Sequence, residues 1–156
     1  MEPGRLVMLE DSLMIAHPDD PGIKSRLVAA HLSLARESFS VEEYKNVLRL
    51  DPGNAEARYQ IAMSKGKQLY QQGNRSALWD ALVAFGKAAA AIDSLGEPHY
   101  WMAKSYLKKD DMDFDLVLEA YNKAIARSLP DTLRPKIEAE RETLLQRKNA
   151  FQKFWK

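Results

Sequence analysis

Few side chains in this sequence are of the types and spacings that do chemistry. His17, His31 and His99 are the three imidazoles, and there is no cysteine in the 156 residues. Imidazole can serve as a base, a proton shuttle or a metal ligand. A helical metal site also needs a second ligand one turn away, and none of the three has one on a helix in an HExxH or ExxH pattern. His17 falls in a turn, His99 at a helix start, and His31 at a core-like helix position, so His31 reads as a core residue. The acidic run Asp110, Asp111, Asp113, Asp115 suggests a calcium loop. The positions that such a loop gives to glycine and to the bidentate glutamate hold Asp115 and Tyr121 instead, so the run reads as a solvated loop. No GxxxxGK[ST], GxGxxG or GxSxG occurs, which leaves phosphate cradles and nucleophile elbows without support. Lack of cysteine removes disulfide scaffolds, thiolate zinc sites and iron–sulfur clusters. The expectation is a non-enzyme with no catalytic residue, no metal and no cofactor.

Composition bounds the class of protein without naming a function. Hydrophobic residues make up 46% and charged residues 29%, ordinary for a globular domain, and the length suggests one domain, residues 1–156. A net charge of +1 argues against a dedicated nucleic-acid binder. No apolar run is long enough to span a membrane. Met1-Glu2-Pro3-Gly4 opens without the basic and apolar stretches of a secretory leader. Cytoplasm is the default compartment, with periplasm and organelle left open.

The elements that must position any site are helices. Breaks fall at Pro18–Gly22, Pro52-Gly53, Gly73-Asn74, Gly96–Pro98 and Pro130–Pro135, and apolar residues between them recur at 3.6 rather than 2. Leu27, Ala30, His31 and Leu34 form one stripe; Ala81, Leu82, Phe85, Ala88, Ala89 and Ile92 form another. No Asn-Gly or Asp-Gly hairpin signal competes, and the chain is expected to be all-α. Ser40-Val41-Glu42-Glu43 reads as a capping box, with Phe39 and Tyr44 as its hydrophobic staple. Asn54 is expected to cap the next helix, and Asp131 or Thr132 the last.

Pro18 and Pro52 lie 34 residues apart, each after an amphipathic helix. Leu27, Val28, His31, Ser40, Tyr44, Val47 and Pro52 follow, with departures at Val28, His31 and Ser40, the pattern of the tetratricopeptide repeat, whose length is 34 residues. Ile61, Ala62, Ala81, Phe85 and Ala88 continue it, as do Met102, Ala103, Tyr106, Val117, Tyr121 and Ala124. Ala62 and Ala81 are 19 apart, about seven more than the repeat's usual spacing, close to two helical turns. The first helix of that unit is therefore expected to lengthen to about Ala55–Gln72. The chain thus resembles a degenerate tetratricopeptide-repeat protein: a partial unit over 4–20, repeats over 21–54, 55–96 and 97–130, and a terminal helix over 133–156.

The resemblance implies a right-handed α-α superhelix and a non-catalytic scaffold or adaptor within a multiprotein assembly. A partner peptide or helix would lie in the concave groove. By repeat register, Arg26, Tyr59, Gln60, Met63, Tyr100, Trp101, Lys104 and Lys108 face that groove, and a partner with acidic and apolar residues would suit them. The family's clamp for an EEVD-type chaperone tail is absent, because the corresponding positions hold Ser25, Ala29, Gln60, Glu97 and Trp101. A rival site is the terminal helix, which carries net +4 together with Phe151, Phe154 and Trp155. It could contact an anionic membrane surface or nucleic acid, although burial of its apolar stripe as a cap is favoured. A holdase-like chaperone is a further alternative. The unpaired first helix could also recruit a second copy.

Overall fold

The computed structural model describes residues 1–156 as nine α-helices without strands. They are α1 (Pro3–Met8), α2 (Glu10–Ala16), α3 (Pro21–Ser38), α4 (Val41–Leu50), α5 (Ala55–Gln72), α6 (Arg75–Ala91), α7 (Glu97–Lys109), α8 (Phe114–Ile125) and α9 (Arg134–Phe154). Where length alone points to one domain, contacts group the chain into two compact units, Met1–Ile61 and Ala62–Lys156. The lengthened helix is present, and α5 runs over the expected residues.

In the first unit, α3 and α4 pair, and α1 and α2 lie against α3. Leu27, Ala35, Val47 and Ala57 are fully buried, with Tyr44 close behind. Residues four apart bring one face of α3 repeatedly inward. Caps set several boundaries. The Asp20 carboxylate accepts from the Gly22 and Ile23 amides at 2.8 and 3.2 Å. Ser40 Oγ accepts from the Glu43 amide at 3.3 Å, and Asn54 Oδ1 from the Ala57 amide at 3.0 Å. Only half of the expected capping box forms, because the Glu43 side chain turns to His31 rather than back to Ser40. The staple does not form at all. Phe39 sits in the left-handed region with φ 53° and is 89% exposed, whereas Tyr44 is buried. With φ positive, the chain turns sharply after α3 and carries the Phe39 ring into solvent.

In the second unit, α6 packs on α7, α7 on α8, and α8 on α9. A hydrophobic core there joins Tyr100, Ala103, Phe114, Val117, Leu118, Tyr121 and Ala124 to Ile137 and Leu144 of α9. Gly66 lets the later part of α5 meet α6 closely. A β-carbon there would lie 2.5–2.8 Å from three atoms of the Phe85 ring. Gly73, at φ 72°, ends α5, as glycine commonly does after a last helical turn. The loops before α7 and α9 are tied by Gly96 N–H donating to Ser128 O at 2.9 Å and Ser128 N–H donating to Ser94 O at 3.0 Å. The last helix is not capped by Asp131 or Thr132. Its N-cap is Leu133, without a side-chain bond. Arg134 instead caps the preceding helix, donating to Ile125 O at 2.9 Å and Arg127 O at 2.8 Å.

Candidate partner-binding surface

The expected groove residues divide sharply by burial. In the first unit Arg26 is exposed on α3, Gln60 is half-buried on α5, and Tyr59 is buried. In the second unit Met63 and Tyr100 are buried. Tyr59, Met63 and Tyr100 therefore present almost no surface to a ligand, and their apolar area goes into core packing. Trp101 and Lys104 remain half-buried and Lys108 is exposed. These last three stand at i, i+3 and i+7, which places them on one face of α7.

Trp101 anchors that face. Its ring stacks on Phe85 with centroids 6.0 Å apart and meets Tyr70 edge-on at 5.3 Å. Lys67 Nζ lies over the indole at 5.4 Å. The indole N–H donates to Glu97 Oε1 at 3.3 Å, and Lys67 bonds the same oxygen at 3.0 Å. Lys108 Nζ donates to Tyr70 O at 3.0 Å and sits 4.5 Å from the Tyr70 ring. Aromatic faces attract such cations, so the lysines are held in place rather than swinging freely.

Beside this face, an open groove of about 330 Å³ runs between α7 and α9. Lys104, Leu107, Tyr121, Glu140, Leu144 and Arg147 line it. Glu140 is fixed at its wall. Tyr100 and Tyr121 hydroxyls donate to its two oxygens at 3.3 and 3.1 Å, and Lys104 lies 3.8 Å away. Burial, followed by the nearby Glu140 charge, raises both phenols above the ordinary tyrosine value. They therefore stay protonated donors. The sequence offered no cue to Glu140, Lys67 or Arg147 as partners of this face, since each lies on a helix far away along the chain.

The rival surface also has a defined shape. Ile137 and Leu144 of α9 are buried, as a capping helix requires, but Phe154 and Trp155 are 81% and 71% exposed. Phe151 touches Phe114 on one side and Trp155 on the other, with centroids 5.8 and 6.1 Å apart. Two of the helix's cations pair with carboxylates, Arg147 with Asp111 at 3.5 Å and Lys148 with Asp115 at 2.8 Å. The acidic loop thus meets cations of α9 in part.

His31 belongs to neither surface. It is buried in the first unit, as its helix position suggested. What the sequence concealed is its surroundings. Nε2 is 2.7 Å from Glu10 of α2 and Nδ1 is 2.6 Å from Glu43 of α4. Arg49 bonds the other oxygen of Glu10. Ionised carboxylates only accept, so both contacts are satisfied when both ring nitrogens carry protons. Two cations, the buried imidazole and the exposed Arg49, then meet two anions, and the charges balance. Burial pulls the Glu10 carboxyl upward, but Arg49 and His31 outweigh it and hold it below the ordinary value. Every polar atom of the ring is occupied. His99 differs: its Nε2 is buried without a partner, and burial, then Arg127 and Lys123, depress its protonation. His17 is exposed.

No protein-family model matches this sequence, and no curated protein is significantly similar to it.

Proposed function

We propose that this chain is a non-catalytic interaction module built from degenerate tetratricopeptide repeats in an α-α superhelix. Its binding surface is the α7 face and the adjoining α7–α9 groove. The observation that supports this reading is Trp101, half-exposed and flanked by Lys67, Lys104 and Lys108, beside an open groove that adds Leu107, Leu144 and Arg147. Tryptophan and arginine recur at binding hot spots, tryptophan because its rigid ring covers a large area and arginine because its planar fork makes paired bonds to a carboxylate. Four cations against Glu97, Glu140 and Asp111, the partner of Arg147, favour a partner segment with acidic residues, and the leucines favour an apolar side chain between them. Repeat folds host many functions, so the role is argued from this surface and not from the fold.

A selection from a random peptide library on the immobilised chain tests it. Selected peptides should be rich in Asp and Glu around an aromatic or leucine anchor. Their affinity should fall about tenfold, or 1.4 kcal/mol, in Lys104→Ala/Lys108→Ala, with circular dichroism unchanged. Peptides without acidic enrichment, or binding indifferent to the double variant, would sink the reading.

A second reading rests on the exposed Phe154–Trp155 pair beside Lys153 and Lys156. Aromatic rings with flanking lysines suit an anionic bilayer surface. Salt-sensitive binding to phosphatidylserine vesicles that disappears on deletion of residues 147–156 would support it.

A further inference from the structure

The end of α5, the start of α6 and the end of α7 border an open cavity of about 390 Å³. Its wall is made by Gly73, Arg75, Leu78, Lys108, Lys109 and Asp110. Three cations and one carboxylate leave that lining at +2. The carboxylate is turned to its own chain, Asp110 Oδ1 accepting from the Met112 amide at 3.0 Å. None of the three cations forms an ion pair.

Two of the cations are nonetheless held in place. Lys108 Nζ donates to Tyr70 O at 3.0 Å, beside Gly73, where a β-carbon would lie 2.8 Å from it. Lys109 Nζ sits 4.3 Å from the centroid of the half-exposed Trp79 ring. Carbonyl and ring contacts orient an ammonium without cancelling its charge. Both lysines also end α7, where the helix dipole favours a cation. That account fails for Arg75. It is the first residue of α6, no acidic residue stands in that first turn, and the dipole there opposes a cation. Its guanidinium has no partner, and it shares the cavity with two further positive charges. An unpaired cation set against both its helix end and its neighbours serves the fold poorly, and such local violations mark functional positions.

We propose that this cavity binds a phosphate monoester. The charge sets the class of ligand. A phosphate monoester carries about −1.5 to −2 at neutral pH, which matches the lining, whereas a single carboxylate leaves half of it unmatched. Arg75 supplies a planar fork for two phosphate oxygens, and Lys108 and Lys109 supply point charges. A bare phosphate fills only a small part of the cavity, so the organic part of the ester has room beside Leu78. Lys108 also belongs to the partner surface proposed above, but the site does not depend on that surface, since Arg75 and Lys109 lie outside it.

Titration of the whole, isotope-labelled chain with inorganic phosphate, up to about 50 mM at constant ionic strength, tests it through amide and indole N–H chemical shifts. The Trp79 indole, assigned with Trp79→Phe, reports on Lys109. Saturable shifts should cluster at Arg75, Trp79, Lys108 and Lys109, with Kd on the order of 1 mM for so small a ligand. Arg75→Ala and Lys109→Ala should each weaken binding about tenfold. Arg75→Glu should abolish binding and yet raise Tm, because a carboxylate suits the start of α6. Glycerol 3-phosphate and a short phosphoserine peptide separate the sources of the ester. Tighter binding of the first identifies a small phosphorylated molecule, and of the second a phosphorylated chain. Shifts that are scattered or do not saturate, an affinity indifferent to Arg75→Ala, an unphosphorylated peptide that binds as well as its phosphorylated form, or a lowered Tm in Arg75→Glu would each overturn the proposal.

Discussion

The two compact units each fasten three helices through a polar centre, and they do so with opposite chemistry. In the first, His31 of α3 joins Glu10 of α2 and Glu43 of α4, with Arg49 completing the charge balance. In the second, Glu140 of α9 receives the hydroxyls of Tyr100 on α7 and Tyr121 on α8. The first centre sets a buried imidazole between two carboxylates, one of which also holds the exposed Arg49 in an ion pair. The second is one carboxylate held by neutral phenols within an aromatic core. Ion groups of this kind bind strongly only while every member is present. Phenol donors lose less when one is removed, because the acceptor keeps another. The first unit should therefore be brittle to mutation and to acid below pH 4.5, the second to overpacking and alkali, with an acid step of its own at His99.

The sharpest way to break the comparison is His31→Ala, which opens a cavity, leaves Glu10 with Arg49 and Glu43 with Asn46 as their remaining partners, and should cost about 2–5 kcal/mol in urea denaturation. Hydrogen exchange should locate the loss in α1–α4 and leave α7–α9 protected. Uniform loss across both units would contradict the division of labour. Next comes overpacking in the second unit. Gly66→Ala drives a β-carbon into the Phe85 ring and should cost about 1–3 kcal/mol, with exchange now rising in α5–α7 only.

Tyr121→Phe removes one of the two donors to Glu140 and should cost about 1–2 kcal/mol. It also tests the alkaline limb. The folded phenols titrate above their ordinary value of 10.0, so the folded state holds protons that the unfolded state gives up first. That stability is whole below pH 10 and is lost as pH rises beyond it. The variant should show a shallower alkaline loss in equilibrium denaturation.

Acid should divide into two separable steps. His99 titrates below 6.5 in the folded state, so the unfolded state binds its proton first and stability declines as pH falls through 6.5. His99→Gln should remove that decline. Glu10 and Glu56 titrate below 4.5, so their contribution persists above 4.5 and is lost as pH falls further. Glu10→Gln should flatten this second step while leaving the first. The smallest effect concerns Phe39, at positive φ and exposed. Phe39→Gly should stabilise the chain by up to about 1 kcal/mol, relief of a left-handed residue partly offset by glycine's greater entropy loss. Thermal melts would register it as a small rise in Tm.

Much of this molecule was written in local patterns. Helix periodicity, the caps at Ser40 and Asn54 and the span of α5 depend on residues within a turn or two of one another, and the structure has them as read. The misreadings share a cause. The Phe39–Tyr44 staple failed because a single backbone torsion turned the ring outward. The cap of α9 failed because the helix begins only at Arg134, which puts Leu133 rather than Asp131 or Thr132 at the N-cap. The surface role expected for Tyr59, Met63 and Tyr100 conflicts with their burial, since repeat register says which way a residue faces but not how closely the next helix covers it.

The sequence by itself determined the helices, their approximate limits and the absence of any local ligand pattern around the histidines. Only the tertiary structure decided what those helices bring together: Glu10 and Glu43 onto His31 from 21 and 12 residues away, and Tyr100 and Tyr121 onto Glu140 from 40 and 19. Helix formation is set by neighbours three and four positions apart, which any reader of the chain can count. A buried polar centre is set by which remote helix shields it from water, and that depends on the packing of whole faces.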